Sequence, residues 1–512
     1  MKRFNYTGTC IPEKNYMADT SKKISQIVKH INYGEYFIIS RPRQYGKTTI
    51  ISLLEEKLKN DYVLLSLTFE AKGEETFETF PVFAGVFIKN INSALEKSNH
   101  QNLKITFSEK INTFDDLSDL ITSLIKKSEK KVILIIDEVD RATNFSLFNN
   151  FLGMLRNKFL MARKNQDFTF YSVVLAGVHD IKNIKMKMRN ESETQYNSPW
   201  NIAIDFKVVM SFSAEEISVM LADYEKDHNT VMDIKNMSDR LYEFTSGYPV
   251  LVSKLCYLMD EELGSLFTED GLEKALKILL NESNTLFDDL IKNITSFSDL
   301  YNLLERVVLD GEEITYNVHA HQMGIMYGIF KESKNNKLTV HNKIFEIILY
   351  NYLIARREMT KGVSLDYKYS DKFEDNNGNL NMELVLEKFQ ELMIAEYREI
   401  DEKFVEREGR LLFLAFIKPV INGTGFYFVE PETRKSNRMD VVITYNKQKF
   451  VIELKIWRGG KYEQEGREQL CEYLTAQKLE KGYMVFFNFN KNKEYSKNRV
   501  IVNRKEIFEI TV

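Results

Sequence analysis

The chain has 512 residues, 44% of them hydrophobic and 28% charged, and a formal net charge of −4. That suits three or four folded domains and excludes a globally basic nucleic-acid binder, so any such surface must be local. Three scattered cysteines exclude a cysteine-rich zinc site and favour a reducing cytoplasm. With no signal-peptide core and no run of about 18 apolar residues, no membrane partner is expected.

After a helical lead-in at Ile24–Ile31, the apolar strand Tyr36–Ile39 enters a loop ending Gly46-Lys47-Thr48, and a helix with Ile50, Ile51, Leu54 and Leu58 follows. Such a turn aims backbone N–H groups and a helix dipole at one point, which suits a phosphate. In a phosphate loop Lys47 reaches the β/γ-phosphates and the Thr48 hydroxyl ligates Mg²⁺. Arg43, Gly46 and Thr49 join the expected nucleotide contacts. Arg41 stands where the strict motif has its first glycine, and the loop alone leaves open whether Arg41 and Arg43 lie on phosphates or face the rest of the protein.

Tyr62–Phe69 reads as a buried strand, and Phe80–Leu95 and Phe114–Lys126 as helices. Val132–Ile136, five consecutive aliphatic residues, forms a strand ending in Asp137-Glu138. Catalytic groups of open parallel sheets sit at that end. Asp137 is placed to hold Mg²⁺ and Glu138 to polarise the attacking water. The plainer alternative is a buried strand ending in solvated acids. A helix at Phe145–Ala162 and a strand at Phe170–Val178 follow, with His179 as a candidate γ-phosphate sensor or a simple strand-end side chain. A further strand is expected at Ile202–Met210. The capping box Ser213…Glu216 then opens a helix, and Pro249 opens another.

RPRQYGKTT, ILIIDE and SGYPVLV together resemble the prokaryotic AAA-like ATPases near the archaeal-type and STAND branches. A GPRRxGKT-type loop and a late G-x-P before a lid helix recur there, and Arg41 matches an RPR form of that loop. The resemblance implies ATP as ligand. The expected fold class is α/β: a P-loop parallel sheet (1–211), a helical lid (212–296) and a winged-helix-like module (297–358). A linker (359–381) leads to a separate α/β restriction-endonuclease-like domain (382–512). In the module, strands are expected at Met323–Phe330 and Lys337–Val340, flanking a polar turn, with His319 and His321 in a plain loop and a bracing role favoured.

Helices are expected at Met382–Ala395 and Leu411–Ile417, the latter stopping at Pro419, and strands at Phe426–Glu430, Met439–Tyr445 and Phe450–Ile456. On the last, Glu453 and Lys455 share one face by the period of two. Asp440 lies 13 positions before Glu453. Converging carboxylates suit Mg²⁺ or Mn²⁺, which generates a hydroxide, with Lys455 orienting the water. The plain alternative is an ion pair on one strand. The D-x12-E-x-K arrangement resembles the PD-(D/E)XK nucleases, and GRLLFLAFIKPVINGTG, RMDVVI and VIELKIWRGGKY resemble the nuclease domain that commonly follows this ATPase. That resemblance implies Gln469, in a helix over Gly466–Gln477, as a supporting residue. Glu430 could supply a further metal ligand, and Arg434 and Arg438 are candidate phosphate contacts. A strand at Tyr483–Phe489 closes the pattern. DNA is the expected partner, with RNA not excluded. A homo-oligomer stays open, since no arginine finger can be selected among Arg141, Arg156 and Arg163. The rival reading is an ATP-dependent switch whose C-terminal domain binds DNA or a protein without cutting.

Overall fold

The computed structural model describes residues 2–70, 72–106, 111–142, 145–178, 200–309, 314, 320–333, 337–361, 373–375, 378–396, 406–421, 425–429, 439–446, 448–457, 460–488 and 494–512. His179, His319, Glu430, Arg434 and Arg438 lie outside them. The chain divides into two compact units, Met1–Leu279 with Met326–Gly328, and Leu280–Ile325 with Ile329–Val512.

In the first unit, α1 (Ser21–Asn32) turns Ile27 and Ile31 inward. The strands β1 (Tyr36–Ser40), β2 (Val63–Thr68), β3 (Val132–Asp137) and β4 (Ser172–Gly177) then form a parallel sheet in the order β1-β4-β3-β2. They alternate with α2 (Lys47–Leu58), α3 (Phe80–Lys97), α4 (Phe114–Lys127) and α5 (Ser146–Arg163). Every residue of β3 and β4 is buried, which is why VILIID and SVVLAG carry no apolar–polar alternation. Rings of α3 and α5 fill the core beside the sheet, with Phe151 at 5.2 Å from Phe83 and 5.0 Å from Phe87.

The expected strand Ile202–Met210 does not form as a ladder. Only one bridge, Phe37↔Ile204, joins it to β1. The segment is held by rings instead: Trp200 stacks on Tyr36 and Phe206 on Phe37, both at 5.8 Å.

The segment expected as a lid contains α6 (Ala214–His228), α7 (Ile234–Thr245) and α8 (Pro249–Tyr257), with α9 (Glu269–Asn281) after them. Ser213 and Glu216 make the expected reciprocal capping box. Gly247 is required between α7 and α8. Its φ is +70°, its carbonyl accepts the Phe212 N–H, and a Cβ there would lie 1.8 Å from the Phe212 carbonyl oxygen.

The second unit begins with α10 (Thr285–Ser296) and α11 (Ser298–Val308). The expected arm Met323–Phe330 starts instead as helix α12 (Ala320–Met326). The hairpin is three residues deep, β5 (Phe330–Glu332) against β6 (Leu338–Val340), so the polar run after Phe330 is partly strand. After α13 (Lys343–Lys361) come α14 (Met382–Glu396) and α15 (Glu406–Ile421). The latter continues past Pro419, because a proline this near a helix end removes only one backbone bond.

A six-stranded mixed sheet completes the unit. It contains β7 (Gly425–Val429), β8 (Met439–Tyr445), β9 (Gln448–Ile456), β10 (Lys481–Phe487), β11 (Lys497–Val502) and β12 (Lys505–Thr511), in the order β11-β12-β10-β9-β8-β7. Helix α16 (Gly460–Ala476) joins β9 to its parallel neighbour β10. The pair β11 and β12 is an addition to the expected elements, and β12 lies inside the sheet, parallel to β10. Gly247→Ala is expected to destabilise the first unit by at least about 1–2 kcal/mol, the cost of a left-handed L-residue before the clash is counted. Thermal unfolding of the purified variant measures it.

Candidate functional site

The carboxyl ends of β1, β3 and β4 meet at one place, and the residues there are built up from the loop between β1 and α2. Gly46 stands at φ +78°, a conformation that costs an L-residue about 1–2 kcal/mol. A Cβ there would meet only Pro249 Cβ, at an ordinary 4.0 Å, so the backbone angle, not crowding, calls for glycine. Gln44 adopts φ +56° without that freedom, and such strain concentrates at functional sites. Helix α2 then opens with Lys47, Thr48 and Thr49, whose N–H groups precede the first intrahelical bond, Ile50 N–H to Gly46 carbonyl.

Lys47 is 6% exposed. Its ammonium donates to the carbonyls of Arg41, at 3.1 Å, and Pro42, at 3.0 Å. Burial lowers its pKa, and the charges of Glu138, Asp140 and Asp137 oppose that shift. The Thr48 hydroxyl donates to Asp137 Oδ2 at 2.9 Å, so the loop helix and the end of β3 are directly joined. Asp137 Oδ1 accepts the Glu138 N–H at 2.9 Å. Glu138 itself is left-handed, at φ +55°. Burial is the main cause that raises its carboxyl pKa; Lys47 opposes it, and the neighbouring acids add to it.

Arg41 faces away from this cluster. Its N–H extends the ladder to the Gly177 carbonyl, and its guanidinium donates to the Ser40 and Val208 carbonyls, each at 2.6 Å. It also lies over the Phe206 ring, 5.2 Å from the centroid. Where a strict loop has glycine, this chain has an arginine that ties the loop to the 202–210 segment. Arg43 is exposed, and its carbonyl accepts from the Tyr248 hydroxyl at 2.9 Å. Tyr45 packs edge-on against the same Tyr248, 4.7 Å away, which brings the lid onto the loop. The Thr49 hydroxyl accepts the Cys10 N–H at 3.1 Å and so holds the N-terminal segment to α2. Tyr248 and Asp140 were not singled out in the sequence. The aromatic between Gly247 and Pro249, and the fourth residue of DEVD, were the available signals.

A second cluster lies on the C-terminal sheet. The backbone register sets Asp440 of β8 directly across from Glu453 of β9. Glu453 is 1% exposed, and Lys455 Nζ lies 3.6 Å from its Oε1, on the face the alternation required. Helix α16 covers that face so closely that a Cβ on Gly466 would lie 2.5 Å from Lys455 Nζ. Gln469, one turn on, has a buried Oε1 with no hydrogen-bond partner among the described residues. Arg467 anchors the helix through a two-pronged pair with Glu509 of β12, at 2.5 and 2.7 Å. Among the described residues no group of three or more His, Cys, Asp or Glu is arranged so that it could hold a metal ion. His321 is buried and pairs with Glu332, 3.1 Å away.

A family model described as an AAA-like domain matches residues 14–350. The chain belongs to the AAA-like domain family. Similar solved structures include the Walker-type ATPase of Pyrococcus abyssi, at 14% identity and a TM-score of 0.46, over 68% of this chain and 99% of that one. Cdc6p of Pyrobaculum aerophilum is also similar, at 14% identity and 0.34, over 69% and 97%. The ORC2 protein of Aeropyrum pernix in its ADP form follows at 11% and 0.36, over 69% and 97%. No curated protein matches the chain. Among the described residues no helix is long and apolar enough to cross a membrane.

The AAA-like match ends before α14, so the C-terminal sheet lies outside it. The geometry of Arg41 gives a direct test. Arg41→Met is expected to destabilise the first unit by about 1.5–3 kcal/mol, the range for hydrogen bonds made by a charged group. Nucleotide affinity should fall far less than in Lys47→Ala. Thermal unfolding beside calorimetric titration with ATP separates the two effects.

Proposed function

We propose that this AAA-like chain is an ATP-binding and hydrolysing switch or motor that governs a metal-dependent DNA endonuclease in its C-terminal domain, in genome defence or mobile-element control. The observation that carries the first half is the 2.9 Å bond from Thr48 to Asp137, with the Lys47 ammonium held under the same loop. Thr48 Oγ1 and the Asp137 carboxylate are hard oxygen donors of the type Mg²⁺ takes, and they lie together. Bound there, Mg²⁺ would neutralise phosphate charge. Lys47 would exchange its loop carbonyls for phosphate oxygens, at the open end of α2. Glu138, whose carboxyl pKa is raised above its ordinary value chiefly by burial, would accept a proton from the attacking water, the task for which a raised carboxyl is suited.

The C-terminal half of the proposal is supported by Asp440 opposite Glu453 in register, and by Lys455 on the face under α16. Acid pairs of this kind hold Mg²⁺ or Mn²⁺ through oxygen. The metal would lower the pKa of a bound water and polarise the phosphodiester, while Lys455 would orient that water. DNA is the proposed substrate, with RNA as the alternative polymer. The cytoplasm is the proposed compartment, in keeping with three free cysteines, and a homo-oligomer is the proposed assembly.

Two outcomes test this function. With Mg²⁺ or Mn²⁺, the wild-type chain should nick supercoiled DNA and Lys455→Ala should not. A wild type that never cuts, or a mutant that cuts equally well, leaves the C-terminal domain as a binding module. For the ATPase, Glu138→Gln should lower kcat by about 100-fold or more. Glu138 acts as a carboxylate, so activity is present above its folded pKa and is lost as pH falls through it. Because that pKa is raised, the acid limb of kcat/KM against pH should lie above the ordinary glutamate range. It should vanish in Glu138→Gln. A limb at the ordinary position would remove Glu138 as the base.

A further inference from the structure

The parallel order puts β4 between β1, which carries the phosphate loop, and β3, which carries Asp137. The end of β4 is therefore the only strand end that borders both parts within this four-stranded sheet. It is fixed from both sides. From the loop side, the Arg41 N–H donates to the Gly177 carbonyl at 3.1 Å, and the Ser40 hydroxyl donates to the Val178 carbonyl at 2.9 Å. From the β3 side, Asp140 Oδ2 accepts the Val178 N–H at 2.6 Å. Gly177 admits that carboxylate, since a Cβ on it would meet Asp140 Oδ1 at 2.8 Å. Asp140 belongs to the short 3₁₀ turn Val139–Arg141, whose N-terminal flank is the left-handed Glu138. The turn that holds Glu138 out of the ordinary backbone region is thus pinned to β4 by its own carboxylate two residues later.

We infer that Asp140 is a positioning residue for ATP hydrolysis, locking the Glu138 turn to the end of β4 so that the base and the phosphate loop keep one spacing. The inference rests on the ATPase reading above. Asp140 acts through Glu138 and Val178, not on the nucleotide. Its removal should therefore leave binding by Lys47 and Thr48 nearly intact and reduce turnover, because a shift of about 1 Å in a reacting group costs up to about 100-fold. The bond itself, not the charge, is what the geometry requires. An asparagine keeps an oxygen acceptor for the Val178 N–H and should substitute well.

The test uses the full chain with Asp140→Ala, Asp140→Asn and Gly177→Ala. ATP turnover, nucleotide affinity by calorimetry and hydrogen exchange of the peptide containing Val178 are measured for each. Asp140→Ala should lose about tenfold or more in kcat, keep nucleotide Kd within about threefold, and exchange the Val178 amide faster. Asp140→Asn should restore most of the rate and the protection. Gly177→Ala, which displaces the carboxylate sterically, should reproduce the alanine variant even if the latter folds poorly. Wild-type turnover in Asp140→Ala overturns the inference, and so does an asparagine variant as impaired as alanine. If the wild type hydrolyses no ATP, the ATPase reading fails on its own. The exchange comparison then still decides whether Asp140 holds the strand end, and unchanged protection in all three variants overturns that as well.

Discussion

One buried ammonium sets the conditions for everything around the phosphate loop. Lys47 is lodged on two carbonyls of its own loop, and the carboxylates of Asp137, Glu138 and Asp140 all act on it. Three acids face one buried amine, with Arg43 adding a further positive field. Like charges about 4 Å apart repel by about 4 kcal/mol at the effective dielectric of such a site. A bare polyphosphate would raise that burden, whereas a polyphosphate carrying a divalent cation would relieve it. Burial is the main reason the Glu138 carboxyl is raised, and the neighbouring acids add to it against the charge of Lys47.

The order of the sheet turns that charge cluster into a device. With β4 between β1 and β3, the loop and the acids reach each other across a strand end, and the direct tie is the Thr48–Asp137 bond. The segment expected as a lid is tied to the same loop, because the Tyr248 hydroxyl holds the Arg43 carbonyl and its ring meets Tyr45. Gly247 makes this possible by letting the chain before α8 lie against Phe212. The positive φ of Gln44 and Glu138 falls on the loop before α2 and on the turn after β3, and strain of this kind is commonly retained at functional sites.

Much of this was legible where the sequence carries a physical necessity. A strand buried on both faces must be continuously apolar, and VILIID announced β3 for that reason. The loop was recognisable from Gly46-Lys47-Thr48 because the left-handed turn and the helix start constrain residue type. Arg41 was not, since a long side chain can point either way and only the packed Phe206 and Val208 decide. Asp140 looked like one more acid at a strand end. Its role depends on Gly177, nearly forty residues later. On the C-terminal sheet the pleat fixed the common face of Glu453 and Lys455, but β12 was missed. KEIFEIT mixes charged with apolar residues like an exposed edge, yet Glu509 is 3% exposed, because Arg467 of α16 neutralises it. The strand Ile202–Met210 was expected for the opposite reason: its apolar Phe206, with Trp200 just before the segment, is used in a ring contact to β1 rather than in a ladder.

Inside the second unit, helices α11, α13 and α15 and the C-terminal sheet are joined by polar bonds, several of them placed within the core. Arg410 of α15 is 1% exposed, and it donates to the Val308 carbonyl at 2.7 Å and to the Tyr350 hydroxyl at 3.2 Å. Tyr350 also donates to that same carbonyl, at 2.8 Å. The last turn of α11 thus has one carbonyl satisfied by a cation and a phenol from two other helices, an arrangement the helix dipole favours. At the sheet margin the Tyr427 hydroxyl of β7 donates to Asn351 of α13 at 3.0 Å. Losing one partner of such a buried set leaves the others desolvated and unpaired, at a cost of about 1–3 kcal/mol each. The joint therefore resists partial opening. A displacement imposed on α11 or α13 would be carried into α15 and β7, and β7 pairs with β8, the strand that bears Asp440. These bonds tie α11, α13 and α15 to one another and α13 to the margin of the sheet.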